Sequence, residues 1–279
     1  MSTAGIMVVF KIAGRQNLDT FRIIVINYFV AAALGFSIDK FPGKGDISAE
    51  WLPMAITIGI LFIVMFFVIA LSTQKAGIAV TSVASKMSVV IPIVFSIFYF
   101  NEPTGILKIS GIIMAMIAVF MTSYNREKSK KRGLQVIYLP LLLFLGTGLI
   151  DSLIKYTQEV KLTRESTIMF SSILFSISAV TGVVFSFFRR TGSRKNENYL
   201  KVLIAGLVLG IVNFGSLYGI IMALDSNFLD SSIIFGINNM GVVVLSVVLA
   251  LAFFNEKLNL LNKAGIALSI ITIIFLSYL

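Results

Sequence analysis

The chain has 279 residues, of which 57% are apolar and 13% charged, with a net charge of +10 and neither cysteine nor histidine. A soluble domain carries about 25% charged residues, so a soluble fold is excluded; disulfides, thiolate chemistry and imidazole-based acid–base or metal chemistry go with it. The Lys and Arg residues fall in short loops between apolar runs, which reads as membrane topology and argues against a nucleic-acid partner.

A membrane-spanning helix takes about 20 apolar residues, or 17–25 allowing for tilt. The first apolar segment, residues 3–14, is short. Spans follow at 21–38, 51–72, 77–100 and 104–124, then at 136–158, 166–188, 200–224, 229–254 and 258–279. The fold class is therefore an all-α polytopic membrane protein of about ten helices, joined by turns such as RQNLD, TQKAG and NEKLN that hold neighbours antiparallel. Residues at the start carry no basic run and no small-residue cleavage site, so no signal peptide is expected.

The chain says nearly the same thing twice. Residues 87–124 return as residues 241–278, with Phe100-Asn101-Glu102 on Phe254-Asn255-Glu256, Gly111 on Gly265 and Ser123-Tyr124 on Ser277-Tyr278. A weaker match lays the stretch from Lys11 over the stretch from Lys155. The organisation read from this is a five-helix repeat at 1–124, a basic linker at 125–135 and a second five-helix repeat at 136–279. Five is odd, so the second half enters the membrane in the opposite sense and the repeat is inverted. Lys155 lies about nineteen residues into its helix and Lys11 only ten after Met1, so the internal ruler expects the first helix to begin before the recorded start.

Orientation follows from the loop cations. The loop with Arg126, Lys128, Lys130, Lys131 and Arg132 and the loop with Arg189, Arg190, Arg194 and Lys195 share a face with Arg15, Lys75 and Lys257; the other face has little beyond Lys40, Lys44, Lys161 and Arg164. The basic face is expected to be cytoplasmic, with both termini outside.

Two blocks carry a family resemblance: ALSTQKAGIAVTSVASKMSVVIPIVFSIFYFNEP in the first half, with Pro92 and Glu102, and ALDSNFLDSSIIFGINNMGVVVLSVVLALAFFNEKL in the second, with Glu256 and with Ser246 in place of the proline. The chain resembles the EamA-type, ten-helix carriers of the drug/metabolite transporter superfamily. The resemblance implies an inverted 5+5 repeat around a central cavity, fifth and tenth helices at the periphery, and, in many relatives, cytoplasmic termini.

A charge within a span costs about 2.5–3.5 kcal/mol at the centre and is a functional candidate by default. Lys86 is the deepest, and reads either as a cavity cation for an anionic substrate group or as the partner of a buried carboxylate. Asp151 and Lys155, four apart, share a helix face; they read as an intrahelical ion pair, or Asp151 as the carboxylate that couples transport to a proton or ion. Lys155 and Lys11 lie nearer helix ends, where snorkelling explains them as well as binding does. Asn238, Asn239, Asn213 and Tyr218 are polar groups that line a cavity or join helices, with Asn27 and Tyr28 weaker candidates. In one helix, Gly206, Gly210, Gly215 and Gly219 form two GxxxG spacings for close packing or bending. Glu102 and Glu256 follow the long helices at matched turns and suggest a structural or gating contact.

No catalytic constellation and no GxxxxGK[ST] loop is present, so neither a cofactor nor ATP-driven transport is expected. The function read from the residues is secondary transport of a small polar or anionic metabolite by alternating access around a midplane site. Two alternatives stay open: a translocator of a lipid or lipid-linked sugar, and an intramembrane lipid-modifying enzyme using Asp151 and Lys86. A bacterial inner membrane is the expected location, with bilayer lipid, a small-molecule substrate and a coupling ion or proton as partners.

Overall fold

The computed structural model describes residues 2–38, 50–101, 105–124, 135–161, 167–188, 198–225 and 231–277. The linker 125–134, most of the loop after Phe188 and Glu102 lie outside the described residues. Among those described there are eleven helices: α1 (Ser2–Arg15), α2 (Thr20–Ile38), α3 (Leu52–Lys75), α4 (Ile78–Met87), α5 (Val90–Tyr99), α6 (Ile106–Ser123), α7 (Gln135–Lys161), α8 (Thr167–Phe188), α9 (Tyr199–Asp225), α10 (Ser231–Ala252) and α11 (Leu260–Ser277). Nine helical segments, counting α4 and α5 as one, are long and apolar enough to cross a bilayer. The exception is α1, whose 14 residues reach about 21 Å at 1.5 Å per residue, short of a hydrocarbon core about 30 Å thick.

The sequence reading has one span over 77–100; the structure divides it at Ser88 and Val89. The cause is Pro92, which has no N–H for the Ser88 carbonyl and whose ring presses on it. That carbonyl takes the Ile91 N–H instead, at 2.9 Å, in a tighter turn, and the Ser88 hydroxyl donates to the Ser85 carbonyl at 2.6 Å. The corresponding helix of the second half, with Ser246 at this position, runs unbroken as α10.

Helix pairing follows a two-fold pattern. α2 packs on α8, α4 on α10 and α6 on α11. The contact of α3 with α8 is mirrored by α9 with α2, that of α3 with α7 by α9 with α1, and that of α4 with α6 by α10 with α11. This is the set of contacts that two halves related by a two-fold axis produce. Small residues set the closest approaches. A Cβ on Gly206 or Gly210 would meet Ile26 or Val30 of α2 at 2.6 and 2.5 Å, so this GxxxG is a packing surface, whereas nothing lies within 4 Å of Gly215 or Gly219. The repeat mates Gly111 and Gly265 each press on the facing helix of the α6–α11 pair, against Leu276 and Met121 respectively.

Candidate functional site

α4 begins with small side chains, and Ala79, Thr81, Ser82, Val83 and Ala84 are all buried. The Ser72 and Thr81 hydroxyls meet at 2.8 Å, tying α3 to α4 where they leave the turn. Close packing of this helix carries its half-buried Lys86 into the bundle, one turn before the break made by Pro92.

α7 faces α4 and presents Asp151. Along α7 the residues Tyr138, Leu142, Leu145 and Leu149 are exposed and form the lipid-facing stripe. Asp151 is exposed too, yet it lies thirteen residues after Tyr138, about 3.6 turns, which points it to the other side of the helix. On that side the earlier residues Leu143 and Phe144 are buried.

Lys86 and Asp151 sit on α4 and α7, which pack on one another, and no ion pair joins them among the described residues. The Asp151–Lys155 pair that the spacing suggests does not form either: Lys155 Nζ lies 5.9 Å from the centre of the Phe100 ring.

The other candidates are distributed more widely. Asn239 shares a side of α10 with the buried Val242 and Ser246, turned away from the exposed Ile237, Val244, Val248 and Leu251; Asn238 lies on the flank. Both amides are half-buried. Asn213 meets Asn27 of α2: in the orientation that satisfies its amide, the buried Asn27 nitrogen lies 3.2 Å from the Leu209 carbonyl and 3.1 Å from the Asn213 amide. That contact joins two helices. Tyr28 is fully buried between Phe66 and Phe175, its hydroxyl without a partner. Tyr218 falls two turns after the exposed Ile211, on the same outward stripe, and stacks on Phe214 at 5.8 Å.

Lys11 is held at the basic face by Glu256 of the other half, Nζ to Oε1 at 2.8 Å, and by the Thr73 carbonyl at 3.2 Å. Sequence reasoning singled out both residues without pairing them; the aligned FNE turns were the available signal. A separate cavity of about 410 Å³ lies between α2, α3 and α8 and is lined by Phe21, Ile63, Val64, Phe67, Val68, Phe185 and Phe188. Its lining side chains are all apolar and include neither Lys86 nor Asp151.

Comparison with known proteins agrees with this architecture. Residues 1–124 match the EamA-like transporter family, which bears out the resemblance to the drug/metabolite transporter superfamily. The chain is 26% identical over 287 aligned positions to an uncharacterized protein of Haemophilus influenzae, covering 100% of this chain and 96% of that one. A crystal structure of a protein 14% identical in sequence superposes with a TM-score of 0.57 over 97% of this chain and 94% of the other, a likeness of fold.

Proposed function

We propose that this chain, a multi-pass membrane protein whose first half matches the EamA-like transporter family, is a secondary carrier of a small polar metabolite bearing an anionic group. The reading is supported by the pair Lys86 and Asp151: two ionisable groups of opposite sign within apolar spans, on helices α4 and α7 that pack on one another, with no ion pair between them among the described residues. An unpaired charge in a span is expensive, and a polar ligand bridging the two offsets that cost. Lys86 attracts the anionic group, Asn239 and Asn238 orient the polar part, and Asp151 compensates the cation and couples transport to a proton or ion. The repeats 1–124 and 136–279, joined by the linker 125–135, rock about the axis that relates them. The full-length bacterial relative supports placement in a bacterial inner membrane, with the basic face cytoplasmic.

The test is a thermal-stability screen of the purified protein against organic acids, amino acids, sugars and nucleotides. A ligand of the native state stabilises it by about 2.7 kcal/mol at a hundred times its Kd. The expected hit is a metabolite with an anionic group, lost in Lys86→Ala while the variant still purifies as a folded protein. A hit that Lys86→Ala retains sinks the assignment of this site.

A translocator of lipid or lipid-linked sugar is the second reading, favoured by the apolar groove between α2, α3 and α8. Stabilisation by lipids alone, weakened by Val64→Asp in the groove and indifferent to Lys86→Ala, would put it first.

A further inference from the structure

The turn after α10 crosses from the second half of the chain into the first. Asn255 adopts φ 49° and ends the helix, and Glu256 is thereby turned back under the start of α4. Its Oε1 accepts the Ile78 N–H at 2.9 Å, one of the free donors at that helix end, and pairs with Lys11 at 2.8 Å. Gly77, at φ 117°, leaves the room: a Cβ there would lie 2.5 Å from Glu256 Oε2. Two residues earlier the Phe254 carbonyl accepts from Arg15 at 2.9 Å, while the Arg15 guanidinium lies 4.7 Å from the centre of the Phe254 ring. Every one of these bonds joins the turn after α10 to α1 or α4, and all sit at the basic face.

We infer that Glu256 is the gate residue of the basic face, its bonds to Lys11 and to the start of α4 holding that side shut. Separating α10 from α1 and α4 at this end requires breaking the ion pair and the helix cap together. The Glu256 side chain is only 5% exposed, and its Oε2 has no partner in the closed state. The closed contact therefore leaves one buried acceptor unsatisfied, and water entering on opening satisfies it, which lowers the cost of release. The inference builds on alternating access but not on the identity of the substrate.

The chain has no cysteine, so one introduced thiol reports its own accessibility without background. The reporter is Thr147→Cys, on the inward side of α7 one turn before Asp151, labelled with a membrane-impermeant maleimide in vesicles of each orientation. With Glu256 and Lys11 intact, labelling is expected from the face opposite the basic loops. Glu256→Gln keeps an acceptor for the Ile78 N–H but loses the ion pair. It is expected to raise labelling from the basic face by about tenfold and to lower it from the other; Lys11→Gln does the same and Lys11→Arg restores the original sidedness. Loss of packing alone would raise labelling from both faces. Unchanged sidedness in Glu256→Gln and Lys11→Gln, with both proteins folded, overturns the gate, as does an equal shift in Lys257→Gln. Because no substrate enters the measurement, a ligand lost in Lys86→Ala beside unchanged sidedness removes the gate and leaves the carrier standing.

Discussion

The two repeat-related elements, α4 with α5 in the first half and α10 in the second, occupy matched places and are built differently. The first is broken at Ser88 and Val89 by Pro92 and carries Lys86; the second, with Ser246 at the proline's position, is a continuous helix of 22 residues whose polar pair is Asn238 and Asn239. The scaffold around them is conserved between halves, as the Gly111 and Gly265 contacts and the positive φ of Asn101 and Asn255 show. The packing is thus kept between the halves and the chemistry divided: charge and a broken helix on one side of the axis, neutral amides and a continuous helix on the other.

The sharpest way to break this contrast is to transplant the proline. Ser246→Pro removes a hydrogen bond inside α10, where Ser246 is fully buried, and is expected to cost about 3 kcal/mol or more. Thermal melting in detergent measures it; a loss under about 1 kcal/mol would mean that α10 is already as loose as the first half. Next in size is Gly77→Ala, which combines a positive φ with a Cβ placed against the Glu256 carboxylate. About 1–3 kcal/mol is expected, against almost nothing for Gly105→Ala, where nothing lies within 4 Å. Equal effects at the two glycines would say that the Glu256 contact is not tight.

Pro92→Ala works in the other direction. It supplies an N–H to the Ser88 carbonyl and is expected to join α4 to α5, raising stability by about 0.5–1 kcal/mol and slowing amide hydrogen exchange at Ser88–Ile91. Transport is expected to fall, since the joint beside Lys86 stiffens. If exchange there is unchanged, the break belongs to the packing around Ser85 and Ser88 and not to the proline.

Most of the scaffold was legible in the sequence, because lipid imposes a single rule on every span and nine of the ten apolar runs obey it, α1 being too short. Their ends fall within three residues of the observed helices. Parity of the expected helix count suggested the inverted relation, and the helix pairing is that of two halves related by a two-fold axis. Less was legible in the site. Lys86 and Asp151 stood out because charge is rare in apolar runs, but their facing one another depends on the α4–α7 contact, which no local pattern encodes. Spacing on one helix suggested Asp151 with Lys155, and tertiary packing sends Lys155 to Phe100 instead. Lys11 and Glu256 lie at opposite ends of the chain; the repeat register matched Glu256 with Glu102, its counterpart, and could not name its partner. Pro92 was visible, yet a proline bends some membrane helices and divides others, and only the hydrogen bonds around Ser88 distinguish the two.

The smallest expected effect concerns what the halves share. Asn101 and Asn255 sit at φ 52° and 49°, where an asparagine is tolerated and a glycine costs less, so the turn after each half's fourth span is ended by the same backbone device. Asn101→Gly and Asn255→Gly should each change stability by only a few tenths of a kcal/mol, because relief of the left-handed conformation is offset by the greater freedom of glycine in the unfolded chain. Equality is the informative part. If the two substitutions match, the asparagines are turn formers and the asymmetry of the molecule is confined to the helices that precede them. A larger loss at Asn255 alone would mean that its backbone position is needed to aim Glu256 at Lys11 and the start of α4, extending the difference between the halves from the helices into the turn itself.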